Sequence, residues 1–269
     1  MTQALPKVMV APNGARRTKS DHPALPIGLQ ELVDTAIACR KVGAGGIHLH
    51  VRDGDGLHSL DVGLYRELLA EVKQAIPGFF LQVTSEAAGR FGPEEQMQMI
   101  RRLRPASVSL ALSELMRAPT TDATARAFYS WAVDEGVCIH HIAYTPDELG
   151  RFLGCVDSGI IPGDSHQLQL VLGSYAATET STPSQLDAYQ VHLDARRHDL
   201  ALDWMVCAFG SGETACLVET ARRGGKMRVG FENSLWNADG SVAEDNAARV
   251  TDLLAALDAS PEALTTEDR

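Results

Sequence analysis

The stretch Gly46-Ile47-His48-Leu49-His50-Val51-Arg52-Asp53 is a short apolar run with an imidazole at every second place, and it runs into the polar turn Gly54-Asp55-Gly56. Beyond it Leu64, Tyr65, Leu68, Leu69, Val72 and Ile76 recur at helical spacing. The reading is one strand followed by one amphipathic helix. Upstream, Val8–Ala11 is a strand of the same kind, and Leu29, Leu32, Val33, Ala36 and Ile37 mark its helix. Downstream the unit repeats six more times. Strands are expected at 79–84, 107–112, 137–144, 168–172, 203–208 and 227–231, with helices at 93–103, 121–135, 146–156, 183–196 and 213–223. A last helix is expected to open on Ser241-Val242-Ala243-Glu244, which has the pattern of a capping box, and to continue through Ala247, Val250, Leu253, Leu254 and Leu257. The tail after Ser260 is polar and expected to fray.

Eight strand–helix units in series, with no composition shift to mark a boundary, predict an α/β chain folded as a single (β/α)₈ TIM barrel over residues 1–269. The length suits one such barrel, and 45% apolar content suits a globular core. A net charge of −11 disfavours nucleic acid or an anionic membrane as the main partner. The five cysteines (39, 138, 155, 207 and 216) are scattered and in no ligand spacing, as expected of free thiols in a reducing compartment. Met1–Pro6 shows no secretory pattern and no apolar run approaches a membrane span, so a cytoplasmic protein is expected.

In such barrels the chemistry sits at the carboxyl ends of the strands. His48 and His50 are two apart on one strand, so alternation points both to one face. A hydrogen-bonded pair of core histidines is the ordinary reading of His-x-His, but the barrel mouth favours divalent-metal ligands. Closure brings strand eight beside strand one, and strand one beside strand two. Glu232, at the end of strand eight, is thereby expected near the two histidines as a third ligand. Arg228 shares its face and is read as an anion clamp, with a structural ion pair as the plain alternative. Thr84, Ser85 and Ser109 offer hydroxyls at neighbouring strand ends. Of His140 and His141, alternation lets only one face inward, as a packed core histidine or a site residue.

These residues are similar to those of a known family. Asn13-Gly14-Ala15, Thr18-Lys19, Leu25-Pro26, the Gly46–Asp53 block, Gln82-Val83-Thr84, Val171-Leu172-Gly173 and Arg228-Val229-Gly230-Phe231-Glu232-Asn233 resemble the β-keto acid cleavage enzymes, the family that includes 3-keto-5-aminohexanoate cleavage enzyme, over nearly the whole chain. The resemblance implies a Zn²⁺-dependent barrel, with homo-oligomers common in the family. It also implies that a β-keto acid reacts with acetyl-CoA by condensation and retro-Claisen cleavage to give acetoacetate and a new CoA ester. It makes His48, His50 and Glu232 the metal ligands, and Thr84 and Ser109 holders of substrate oxygens. Asn13, Ser85 and His140 are added as expected substrate contacts, and Arg228 as the arginine beside the catalytic carboxylate.

The chain departs from the family at three places. Arg16 stands where the family usually has an acid, Asn233 stands where it usually has an aspartate proposed as base, and the strand-three loop reads Thr84-Ser85-Glu86. An amide takes no proton in that role. The expectation is that Glu86 and Arg16 have exchanged sign across the mouth and that Glu86 is the base, a simple ion pair between them being the plainer alternative. Ile142 stands near the place of the acid that meets a substrate ammonium, so a 5-amino β-keto acid is not the expected substrate. Two other functions compete: a metal-dependent hydrolase of the amidohydrolase type, and a non-catalytic metal- or ligand-binding barrel.

Overall fold

The computed structural model describes residues 3–175 and 180–260. The strands are β1 (Val8–Val10), β2 (Gly46–Leu49), β3 (Val51–Arg52), β4 (His58–Ser59), β5 (Phe80–Thr84), β6 (Ser107–Ala111), β7 (Cys138–Ala143), β8 (Ser165–Leu172), β9 (Ala201–Ala208) and β10 (Lys226–Val229). The helices are α1 (Leu29–Lys41), α2 (Val62–Ala75), α3 (Pro93–Leu103), α4 (Leu112–Leu115), α5 (Asp122–Asp134), α6 (Pro146–Asp157), α7 (Leu186–Arg196), α8 (Glu213–Arg222) and α9 (Asn246–Asp258). Eight strands close a parallel barrel in the order β1-β10-β9-β8-β7-β6-β5-β2. The chain is thus an α/β TIM barrel, as its alternation of strand and helix patterns predicts.

Two layers of apolar packing follow from strand alternation. Val10, Ile47, Leu49, Val83, Val108, Leu110 and Val229 point outward and join Leu32, Tyr65, Leu68, Ile100 and Leu253 from the helices in one buried cluster. Inside the barrel, Leu5, Met9, Phe80 and Met205 plug the amino-terminal end. Burial of this kind contributes about 25 cal/mol per Å² of apolar surface. Above the plug the interior turns polar, and Gln82, Ser107, Ser109, His140 and Arg228 are all buried there.

Two local expectations are corrected. The strand carrying the histidines stops at Leu49, and Val51–Arg52 pairs antiparallel with His58–Ser59 as a small hairpin outside the barrel. The cause is Arg52, whose guanidinium turns inward to donate to the carbonyls of Gly14, Arg17 and Gly56. The last helix begins at Asn246, with Asp245 accepting from Ala248 N at 2.7 Å, and not at Ser241. Ser241 instead donates to Asp239, and Val242 bridges back to Trp236, so the expected capping box cannot form. Among the described residues, no helix is long and apolar enough to cross a membrane. The expected frayed tail lies outside the described residues from 261 on.

Candidate active site

A cavity of about 320 Å³ opens at the carboxyl ends of the strands. At its floor three ligand atoms converge. His48 Nε2 and His50 Nε2 are 3.1 Å apart, and Glu232 Oε2 lies 3.4 Å from the second and 3.8 Å from the first. The edges of a tetrahedral zinc site are about 3.3 Å long. The two histidines are 1% exposed, and Glu232 Oε2 is buried without a hydrogen-bond partner. Such an orphaned carboxylate oxygen, aimed between two imidazole nitrogens, fits a divalent cation better than it fits an empty core. Among the described residues this is the one group of three or more potential ligands close enough to share an ion.

The surrounding side chains prepare these ligands. His48 Nδ1 meets Gln82 Oε1 at 2.8 Å, and Gln82 Nε2 is held in turn by Ser107 Oγ at 3.2 Å and His140 Nδ1 at 2.7 Å. Because Gln82 presents its oxygen, His48 carries its proton on Nδ1 and leaves the Nε2 lone pair to the cavity. Burial, with Arg228 close by, holds His48 well below the usual imidazole range, in the neutral form a metal requires. Burial alone would raise Glu232, but Arg228, His50 and His48 hold its carboxyl well below the ordinary value. Arg228 Nη2 donates to Glu232 Oε1 at 3.0 Å and contacts Cys207 Sγ and Asn233 Oδ1. Its Nε is buried with no partner, a donor left for an incoming anion.

Gly14 fits this floor by lacking a side chain. It sits at φ +61°, and a Cβ there would come within 2.6 Å of Glu232 Cγ and 2.8 Å of the Tyr175 hydroxyl. Asn13, beside it, donates from Nδ2 to the His50 carbonyl at 3.1 Å.

The other expected site residues divide into two groups. Arg16, Thr84, Glu86, Arg228 and Asn233 line the cavity with the three ligands. Thr84 Oγ1 accepts from Glu86 N at 3.0 Å and from Ser109 Oγ at 3.4 Å, so its own hydroxyl proton is left for a substrate oxygen. Asn13, Ser85, Ser109 and His140 lie behind the wall. Ser85 Oγ donates to the Ser109 carbonyl, and Ser109 reaches the cavity only through Thr84. His140 faces the barrel interior, one layer below, against Gln82. Burial lowers it to about 4, so it stays neutral. His141 faces outward and packs on Tyr129, Phe152 and His166.

The plainer alternative, a direct Arg16–Glu86 ion pair, does not form. Arg16 lies over the Tyr175 ring at 5.3 Å. Glu86 instead stands 3.9 Å from His50 Nδ1 with its side chain 17% exposed. Burial pushes its carboxyl upward. His50 draws it back, Glu232 pushes it further up, and Arg16 and Arg228 draw it back, the net effect being a rise.

Sequence reasoning missed Gln82 as the partner of His48, and it missed Glu114, Tyr144, Tyr175 and Phe209 in the cavity wall. Gln82 stands two residues before Thr84 on one strand, so alternation alone signals that both face inward. Tyr175 and Phe209 come from separate loops and carry no such signal.

The model of the beta-keto acid cleavage enzymes matches residues 7–268. The chain belongs to the β-keto acid cleavage enzyme family. Within that family, a 3-oxoadipate:acetyl-CoA acetyltransferase of Cupriavidus necator is 26% identical over 257 residues, 92% of this chain and 87% of the relative. A 3-keto-5-aminohexanoate cleavage enzyme of Fusobacterium nucleatum is 24% identical, over 88% of this chain and 85% of its own. Among solved structures, ObcA in its binary complex with oxaloacetate superposes with a TM-score of 0.68 at 14% identity. That match covers 91% of this chain and 66% of ObcA, and the likeness is one of fold.

Proposed function

We propose that this β-keto acid cleavage enzyme family member is a zinc-dependent acyltransferase that converts a β-keto acid and acetyl-CoA into acetoacetate and the CoA ester of the remaining acyl group. The observation that carries the proposal is the convergence of His48 Nε2, His50 Nε2 and Glu232 Oε2 on one point of the cavity floor. Two imidazoles and one carboxylate are a donor set that zinc accepts while leaving room for substrate. The bound ion would supply Lewis-acid polarisation of the keto oxygen.

The protein's own groups account for the rest. Arg228 Nε and the Thr84 hydroxyl are donors free to orient the substrate carboxylate and keto oxygen. Glu86 hangs from the loop after β5 into the same cavity without a short ion pair. In this reading it takes the proton from the carbon between the two carbonyls. That carbon then bonds to the acetyl carbonyl carbon, and the CoA thiolate leaves. The thiolate adds to the original keto carbon, the bond from that carbon to the former methylene breaks, and the electron pair and a proton return to the methylene. Atoms balance, and no protein nucleophile is needed.

On the side-chain wall, Ile142 and Val171 are apolar, and Glu114 Oε2 is held by Ala87 N and Gln96 Nε2. Ile142, near the place where the family resemblance puts an acid for a substrate ammonium, favours an uncharged acyl group there. The test is a panel of β-keto acids with acetyl-CoA on zinc-loaded protein, read as formation of the new CoA ester. Apolar-chain substrates should turn over in preference to 5-amino ones. Acetate release without acyl exchange would instead mark a hydrolase.

A further inference from the structure

A second cavity, of about 540 Å³, adjoins the first and shares the wall formed by Tyr175, Phe209 and Asn233. It is bounded by the loops after β8, β9 and β10, with Arg17 from the loop after β1. The last two, β9 and β10, are strands seven and eight of the barrel, whose loops often receive phosphate in this fold.

Three observations point to an anionic ligand. In a chain of net charge −11, the described residues lining this cavity include Arg17 but no carboxylate. Arg17 donates from Nη2 to the Asn233 carbonyl at 3.2 Å, while its Nη1 is buried with no partner. Asn233 itself is fully buried, and its Nδ2 also lacks a partner. Two unsatisfied donors beside a cavity with no carboxylate among its described lining residues are costly unless an acceptor arrives from outside. Trp236 adds an aromatic face to the same wall.

We infer that this second cavity receives the phosphorylated arm of the acyl-CoA substrate, with Arg17 on its phosphates and the Asn233 amide at the seam donating to the thioester carbonyl oxygen. The inference rests on the acyl transfer proposed above. It gives the buried Asn233 amide a purpose: a fixed donor where negative charge develops as the thioester is attacked.

The experiment measures CoA binding by calorimetry and the KM for acetyl-CoA in the zinc-loaded wild type, Arg17→Ala and Ser211→Asp. Ser211 lines the same cavity, so Ser211→Asp adds a negative charge there while leaving Arg17 on Asn233. Both variants should weaken CoA binding and raise the acetyl-CoA KM by about tenfold or more, the size of one lost charge-assisted hydrogen bond. With the N-acetylcysteamine thioester, which has no phosphates, the difference from wild type should shrink to about twofold or less. Inorganic phosphate should compete with CoA in wild type and much less in Arg17→Ala. An unchanged acetyl-CoA KM in both variants of a working enzyme overturns the inference, as does an equal loss on the truncated thioester. CoA bound in an Arg17-dependent way, with no acyl exchange on any β-keto acid, supports the cavity assignment and defeats the proposed reaction instead.

Discussion

Replacing Gln82 with leucine tests whether the site is built to hold a metal or only to bury two histidines. The side chains are similar in volume, so little packing is lost. Three polar contacts are lost: Oε1 with His48 Nδ1 at 2.8 Å, Nε2 with His140 Nδ1 at 2.7 Å, and Nε2 with Ser107 Oγ at 3.2 Å. Each imidazole nitrogen left buried without a partner costs about 1–3 kcal/mol, so the fold should lose about 2–6 kcal/mol. Freed of its partner, His48 loses its fixed tautomer and orientation. Loss of an outer partner of this type lowers metal affinity about 10–100-fold. Zinc affinity, measured by competition with a fluorescent chelator, should fall by that amount in Gln82→Leu, alongside a lower urea midpoint. Gln82→Glu keeps an acceptor for His48 but removes the donor to His140, so it should lose stability and hold zinc within a fewfold of wild type. Zinc affinity within twofold of wild type in Gln82→Leu would refute the reasoning, because His48 would then need no support from below.

Three other outcomes follow from the same geometry. Glu86→Gln should slow enzyme-catalysed exchange of the α-protons of a β-keto acid in D₂O by about 100-fold or more, measured by proton NMR without CoA; an unchanged rate removes Glu86 as base. Gly14→Ala should displace Glu232 and weaken zinc binding, since its Cβ would fall 2.6 Å from Glu232 Cγ at a φ of +61°, with a backbone cost of about 1–2 kcal/mol; a chelator titration that matches wild type speaks against that contact. His141 and His166 are buried and held below the usual imidazole value, first by burial. Their folded pKa lies below the unfolded one, so their contribution to stability is complete above about pH 6.5 and is lost as pH falls, for His141 by up to about 2 kcal/mol at pH 5. In urea unfolding, His141→Phe should lose correspondingly less stability between pH 7 and pH 5 than wild type, and an identical loss would contradict the assignment.

The barrel is legible in the sequence because each βα unit is a local pattern, and the short strands leave little room for another period. His48 and His50 are legible because alternation fixes their common face, and Glu232 because barrel closure makes the two ends of the chain neighbours. The break after Leu49 is not legible, since it depends on Arg52 reaching carbonyls 35 and 38 residues back along the chain. The capping pattern at Ser241 fails for a similar reason: its hydroxyl donates to Asp239, and the next residue, Val242, bridges back to Trp236. The sign exchange between Arg16 and Glu86 reads well as a pair of letters. Tyr175, in a different loop, takes the arginine instead. The second cavity is drawn from four loops and leaves no contiguous trace in the chain.

The central claim is a metal-dependent exchange of acyl groups at His48, His50 and Glu232. Its most direct test is carbon-13 NMR of the products from unlabelled β-keto acid and acetyl-CoA labelled at the acetyl carbonyl, using zinc-loaded wild type and His48→Ala. The account predicts label at the keto carbon of acetoacetate, an unlabelled new CoA ester, and loss of both products in His48→Ala. Label appearing in free acetate, or acetoacetate formed equally well by His48→Ala, would contradict it.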